Sequence, residues 1–472
     1  MEILAGLRNT RPILLGRVGH YDPDADLAAA EHAGAWAAWQ RTVSGSSPQQ
    51  LRRLVDEAGL TGRGGAGHST VAKWRACAAI DTDERYVVAN GFEADPGAQL
   101  DRTLMELDPH AIVEGVALAA YAIGARRAFI AVRASMTVAQ RRLERAVEAA
   151  TEAGYLGSDA LGAGFDLHVE VVPVSGGYVV GEETVLIKAI ENKRAQPEQR
   201  PPYPASRGLW GRPTLVNNVE TLAAVPWIVT NGAKAFIGAG SDGDPGTTLV
   251  QLTGAVATPG IAEVPAGVPV RRLIDEVAGG MRKGAKLKAV LIGGPAGGFL
   301  PPSELRTAYS VAALAEKGAL VGSGTLVVAD ESTCLVDMAT LLTRFLSDES
   351  CGKTIPCRIG VRRLYEIGAR ATAGLARPTD PQLLLDLAAD VRDGGLCGLE
   401  RLAPNPYLSG LRYFAEEFED HFVRRRCAVG TCTALTSMAQ AASDGRGAAA
   451  GPKSAASRAA APAATAEESL SA

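Results

Sequence analysis

The chain has 472 residues, enough for two to four domains. Its 47% hydrophobic and 21% charged residues suit a globular protein with large cores, and a net charge of −4 excludes a global basic field for nucleic acid or anionic membrane. No apolar run reaches the length of a membrane span, and MEILAGLRNTRPILLGR, broken by Arg8 and Arg11, lacks the apolar stretch and cleavage site of a signal peptide.

Residues 1–46 read as an N-terminal extension. Over 47-SPQQLRRLVDEAGL-60 a helix is predicted. Ser47 caps it, Gln50 completes a capping box, Leu51, Leu54, Val55 and Ala58 form its apolar face, and Gly59 ends it. The glycine loop 62-GRGGAG-67 leads into a second helix through Trp74. Strands are predicted at 86–90, 128–132 and 167–174, with helices at 111–123 and 138–150 between them. Strand and helix alternating at this spacing imply an α/β sheet with parallel crossovers, here over 47–240. Residues 241–330 read as a small α+β unit, with strands at 248–256 and 286–294 and a short helix near 270–277.

From 331 to 433 the pattern is helical, with helices at 335–350, 360–370, 381–394 and 408–422 forming a bundle. Six of the seven cysteines lie at its edges, which favours metal ligation over a disulfide framework. Cys77 stands apart and reads as a small core residue. Residues 434–472 are rich in Ala, Ser, Gly and Pro and read as a disordered tail.

Several motifs carry chemistry. The backbone N–H groups of 62-GRGGAG-67, ahead of a helix N-terminus, form an anion cradle with Arg63 and Lys73, or simply a tight turn. The loop follows a helix, so the strand–turn–helix context of a dinucleotide fingerprint is missing. In 90-NGFEADPG-97, Asn90, Glu93 and Asp95 follow a strand end, where open α/β sheets bind ligands; the alternative is a surface turn. A glycine turn starts 176-GGYVVGEETVLIKAI-190, and its helix opens on Glu182 and Glu183. The segment 217-NNVET-221 presents donors and acceptors beside apolar neighbours, as a wall against a planar heterocycle would.

Taken in order, GRGGAG, K-W, N-x-x-E-x-x-P-G, GEET, VNNVET, E-S-C-G-x-x-x-P-C-R-x-G and LCGL resemble the NADH-binding flavoprotein subunit of respiratory complex I. They also resemble the equivalent subunits of soluble NAD-linked hydrogenases and formate dehydrogenases. The likeness runs from about Pro48 to Thr433. It implies a Rossmann-like FMN domain, a ubiquitin-like SLBB domain and a four-helix bundle bearing a [4Fe–4S] cluster. By position, Gly62, Arg63, Gly64, Gly65, Gly67, Lys73, Asn90, Glu93, Tyr178, Gly181, Glu182, Glu183, Val216, Asn217, Asn218 and Thr221 would surround FMN. Glu93, Asp95 and Glu183 would be the acids at the reacting centre, with His68 and Tyr203 in place of aromatics that stack on NADH. The implied reaction is hydride transfer from NADH to FMN, then single-electron transfer through the cluster to a thioredoxin-like or ferredoxin-like iron–sulfur subunit. The implied location is cytoplasmic, including the cytoplasmic face of a membrane complex.

The sequence departs from that pattern in three places. The adenine-stacking aromatics are thinned to His68 and Tyr203. Phe92 stands where the family has an acid, so a flavin-binding or structural subunit that no longer oxidises NADH is the alternative. A ubiquitin-like domain serving as a polysaccharide- or cobalamin-binding module is a more distant one. In the loop 348-DESCGKTIPCRIG-360, Cys351, Cys357 and the later Cys397 match cluster ligands, but Thr354 replaces the middle cysteine. Three outcomes are open: a three-iron cluster, a four-iron cluster with an oxygen or external ligand, or none. Separately, Cys334, His421, Cys427 and Cys432 suit tetrahedral zinc; the alternative is four unligated side chains.

Overall fold

A computed structural model describes residues 1–241 and 243–443. Four parallel strands, β1 (Tyr86–Gly91), β2 (Arg127–Arg133), β3 (His168–Val174) and β4 (Thr214–Asn218), form the first sheet in the order β3-β2-β1-β4. The chain moves outward from β1 to β3 and then returns to the other side of β1. The order therefore reverses between β1 and β4, where open α/β sheets present a crevice at their carboxyl ends. The strand β4 had no sequence prediction, because its two asparagines break the apolar run. The helix Val219–Asn231 follows it, and Asn218 caps that helix.

The apolar helix Pro109–Ile123 packs against one face of this sheet together with Val219–Asn231. Residues from Ile13 to Trp39 contribute to the same core. Trp36 and Trp39 are fully buried, Trp39 Nε1 donates to the Tyr155 carbonyl at 3.0 Å, and Arg17 pairs with Asp108 at 2.9 Å. The amides of Ile13, Leu14 and Leu15 all donate to the Glu263 carboxylate, which ties the N-terminal segment to the second sheet.

That sheet has five strands, β5 (Thr247–Gly254), β6 (Gly260–Pro265), β7 (Leu287–Ile292), β8 (Gly298–Leu300) and β9 (Thr325–Asp330), in the order β6-β5-β9-β7-β8. Only β5 and β9 run parallel. The predicted 270–277 helix begins as an α-turn and continues as a wider π-turn over Leu273–Val277.

The helical region contains Leu335–Asp348, Arg362–Thr372, Asp380–Gly394, Asn405–Tyr413 and Ala415–Phe422. The single helix predicted at 408–422 is thus two, broken at Phe414. The break seats Phe418 edge-on against Tyr407, with centroids 6.4 Å apart. The predicted tail also needs correction at its start. Thr433–Ser443 is helical, because Leu435 finds a buried position in the bundle core. The rest of the predicted tail, 444–472, lies outside the described residues.

Candidate functional site

A cleft of about 510 Å³ opens where the first sheet reverses its order, and all three parts of the chain reach it. Every predicted cofactor residue except Tyr203 lines it: Gly62, Arg63, Gly64, Gly65, Gly67, His68, Lys73, Asn90, Glu93, Tyr178, Gly181, Glu182, Glu183, Val216, Asn217, Asn218 and Thr221, and so does Asp95. Tyr203 is 58% exposed and lies outside the lining. Phe92 is also outside it. It is fully buried in the core beneath, with the Arg133 guanidinium 4.6 Å from its ring, and does not line the cleft.

The glycine loop approaches other backbone closely. Gly65 has φ +97°, and a Cβ there would stand 2.6 Å from the Gly322 carbonyl oxygen. The Arg63 amide donates to Thr221 Oγ1 at 2.8 Å. Its guanidinium donates to the Pro245 carbonyl at 2.7 Å, yet its buried Nε has no hydrogen-bond partner among the described residues. A buried, unpaired cationic N–H beside a row of loop amides fits an anionic group such as a phosphate. Lys73 Nζ bonds Glu183 at 2.7 Å and the Val216 carbonyl at 3.1 Å. Arg200, which sequence reading missed, also pairs with Glu182 and Glu183. Asn90 donates to the Gly181 carbonyl at 3.0 Å, and Asn217 accepts from Trp74 Nε1 at 2.9 Å. This set of amides, asparagines and cations around a glycine cradle fits FMN.

The acids divide into two groups. Glu93, at φ +46°, turns its carboxylate onto the amides of Asp101 and Arg102, at 2.9 and 3.2 Å. Burial nevertheless pushes this carboxyl up to about 7. Asp101, another residue missed from sequence, accepts from Asn218 at 2.8 Å and is raised by burial and by Glu93 and Glu220. Burial also pushes Glu220 up to about 7, while Arg63 pulls it down. Glu220 accepts from Thr248 Oγ1 and the Leu249 amide, joining the first unit to β5. Asp95 sits apart, bonded to Ser323, and burial raises its carboxyl too.

The wall nearest the helical region includes Gly398, Leu399 and Leu402. Cys397 precedes them directly and stands at the N-terminus of the helix Gly398–Leu402. The Tyr178 amide, on the cleft, donates to Glu349 at 2.6 Å, two residues before Cys351. Cys357 lies on the turn Pro356–Val361, and its Sγ is 3.0 Å from Ser350 Oγ. Burial pushes the Cys357 thiol up to about 12 and raises Cys397, and both also sense Cys351 and Glu400. The three thiols come from two segments and lie near enough to sense one another's charge, as candidate ligands of one iron–sulfur cluster would. Thr354, which stands where the resemblance has the middle cysteine, donates from Oγ1 to Glu400 at 2.7 Å.

The other cysteine group is tighter. One ligand atom each from Cys334, His421, Cys427 and Cys432 lies within 4.8 Å of the others. Cys334 Sγ is 3.3 Å from His421 Nε2 and 3.8 Å from Cys432 Sγ, and Cys432 Sγ is 3.5 Å from His421 Nε2. Zinc bonds of about 2.3 Å to sulfur and about 2.0 Å to nitrogen, set at tetrahedral angles, give edges of this length. His421 Nδ1 faces the Glu417 carbonyl at 2.8 Å, which fixes the tautomer with Nε2 free to ligate. The donor set fits zinc.

Comparison with known proteins accords with this architecture. Residues 55–227 match the Nuo51 FMN-binding domain, 249–300 the SLBB domain and 337–421 the NADH-ubiquinone oxidoreductase-F iron–sulfur binding region. The NADP-reducing hydrogenase subunit HndC of Solidesulfovibrio fructosivorans is 43% identical over 82% of this chain and 79% of its own. The F 2 subunit of the Rhizobium meliloti (strain 1021) NADH-quinone oxidoreductase is 40% identical over 88% of this chain and 99% of its own. A crystal structure of NAD+-reducing [NiFe]-hydrogenase in the H2-reduced state superposes with a TM-score of 0.77 at 32% identity, covering 89% of this chain and 68% of that one. Sequence, fold and cleft agree, and the chain belongs to the NADH-quinone oxidoreductase-F family.

Proposed function

We propose that this chain is the flavoprotein subunit of an NADH:acceptor oxidoreductase. It would take a hydride from NADH at FMN and pass electrons to a partner protein. The carrying observation is the shared wall: Gly398 lines the cleft and follows Cys397 directly, so the proposed flavin site would abut the segment carrying Cys397. FMN, when bound, supplies the conversion between two-electron hydride chemistry and single-electron transfer. The chain supplies binding and orientation. Arg63 and the amides of residues 62–67 would hold the phosphate. Asn90, Asn217 and Asn218 would orient the polar chain and ring. The Lys73–Glu183 pair, and Glu93 and Asp95, would face the reacting side. His68 lines the mouth and is the aromatic available to the adenine.

Cys351, Cys357 and Cys397 would hold the iron–sulfur cluster, and Cys334, His421, Cys427 and Cys432 a structural zinc. Ile355 and Ile359 flank Cys357 and are 67% and 50% exposed. Apolar side chains left in solvent beside a cluster loop support docking of a small iron–sulfur subunit there. The location that goes with this reading is cytoplasmic, on the face of a larger complex. Among the described residues no helix is long and apolar enough to cross a membrane.

The test is anaerobic addition of NADH to the purified chain. Flavin absorbance should bleach, and denaturation should release FMN. A flavin that stays oxidised overturns the dehydrogenase reading in favour of a subunit that only binds it, and release of FAD overturns the cofactor.

A further inference from the structure

Glu400 lies outside both predicted ligand sets. Its side chain is buried, at 1% exposure. One carboxylate oxygen accepts from Thr354 Oγ1 at 2.7 Å, and the other from the Leu396 amide at 2.8 Å. Leu396 immediately precedes Cys397, so the carboxylate folds back onto the segment carrying the third thiol. Among the described residues no lysine or arginine forms an ion pair with it. A buried carboxylate without a cation, near Cys357 and Cys397, is costly unless positive charge is supplied. The iron core of a cluster supplies it.

We propose that Glu400 is the fourth ligand of a four-iron cluster held by Cys351, Cys357 and Cys397, with Thr354 as the residue that orients it. The inference rests on the cluster assignment made above. Each carboxylate oxygen already accepts one hydrogen bond and keeps a further lone pair for iron. Thr354 alone would offer a neutral hydroxyl, whereas the carboxylate binds as an anion, as a thiolate does, with no proton to release. The middle cysteine and its thiolate are thus replaced by a pair of residues acting together. Oxygen is a harder donor than sulfur, so the fourth iron is held less firmly than the other three.

The experiment is anaerobic reconstitution of the full chain with iron and sulfide, followed by iron analysis and electron paramagnetic resonance. Wild type should take up about four irons per chain, silent when oxidised and paramagnetic on reduction. Glu400→Gln keeps the size and removes the charge. It should drop to about three irons, with the oxidised form now paramagnetic. The double variant Thr354→Cys/Glu400→Gln should return to about four, which separates a lost ligand from a misfolded loop. A Glu400→Gln chain with the full wild-type cluster overturns the inference. So does a wild type that stops at three irons while Thr354→Cys reaches four. If neither wild type nor Thr354→Cys takes iron, the cluster assignment falls and the inference with it. Flavin bleaching by NADH, read on wild type, tests the dehydrogenase reading separately.

Discussion

The two cysteine sites sit on one helical region and solve different problems. At Cys334, His421 and Cys432 the ligand atoms lie 3.3 to 3.8 Å apart, with Cys427 within 4.8 Å of them, and the histidine tautomer is fixed by a backbone carbonyl. Around Cys351, Cys357 and Cys397, among the described residues, no thiol is in hydrogen-bond contact with another, and Thr354 hydrogen-bonds Glu400 beside them. A single ion brings its ligands edge to edge, so close packing of thiols marks the site. A cluster stands between its ligands and holds them apart. On the proposed assignment, a changed cluster ligand would leave room for a second residue to take its place, whereas the tight site has no such room.

The sharpest way to break this comparison is to empty the tight site. Cys427→Ser/Cys432→Ser should take zinc from about one ion per chain to none, because two thiolates are lost from a four-ligand site. The helix Thr433–Ser443 follows Cys432 directly, so the double variant should also lose roughly 3 kcal/mol or more of stability, seen as a lower Tm. Elemental analysis decides: zinc content that survives both substitutions rules the assignment out. Flavin content should not change, since the cleft is lined by other residues.

The next effect tests the cleft. Gly64 lines it, and a Cβ there would come 3.2 Å from the Asn218 Cβ. Gly64→Leu adds four carbons where the phosphate is to bind. FMN affinity should fall by at least about tenfold, or about 1.4 kcal/mol, in a fluorescence titration. Undiminished binding would exclude the loop as the cradle. The zinc site should stay loaded, so this variant is the reciprocal of the first.

A smaller effect is expected at the wide site. Thr354→Cys restores a thiolate beside Gly352, Pro356 and Arg358. With soft sulfur on every iron, iron loss in air should slow by about tenfold relative to wild type, corresponding to about 1.4 kcal/mol on the barrier. The measurement is decay of the cluster absorbance. Equal decay would show that the fourth position does not limit stability.

How much of the site is legible in the sequence varies with distance along the chain. The glycine loop, 90-NGFEADPG-97 and 217-NNVET-221 each carry their chemistry within a few residues, and the fold brings nearly all of those residues to one cleft. Asp101, Arg200, Ser323 and Glu400 reach their sites by tertiary packing, which local spacing does not encode. Glu400 had one legible signal: an acid placed three residues after a ligand cysteine at the start of a helix. Glu220 stands inside its motif, but its turn toward β5 was invisible because nothing in the spacing sets β5 beside it. Tyr203 matches by position, yet its ring lies outside the cleft lining. The N-terminal 46 residues looked like an appendage because their anchors, Asp108, Glu114 and Glu263, lie far downstream.

The smallest effect concerns a third way to hold buried polar groups, by hydrogen bonds without a metal. Glu93, Asp101 and Glu220 cluster under the cleft, and burial raises all three carboxyls. For Glu220 the folded-state value is about 7 against an ordinary 4.5. Between these values the folded chain binds more protons than the unfolded one, so stability falls as pH rises. The contribution is fully present below about 4.5 and is lost by the time pH passes about 7. The shift sets an upper limit of about 3 kcal/mol for Glu220 alone. Arg63 and the Thr248 and Leu249 donors pull the other way, and their effect is already included in the net rise. Denaturant unfolding should therefore show wild type losing stability from pH 5 to 8. Glu220→Gln, which cannot ionise, should flatten part of that slope while keeping an acceptor for Thr248. Glu93 and Asp101 remain to titrate, so the slope should shrink and not vanish. A Glu220→Gln chain with the full wild-type slope would place the titration on those two residues instead.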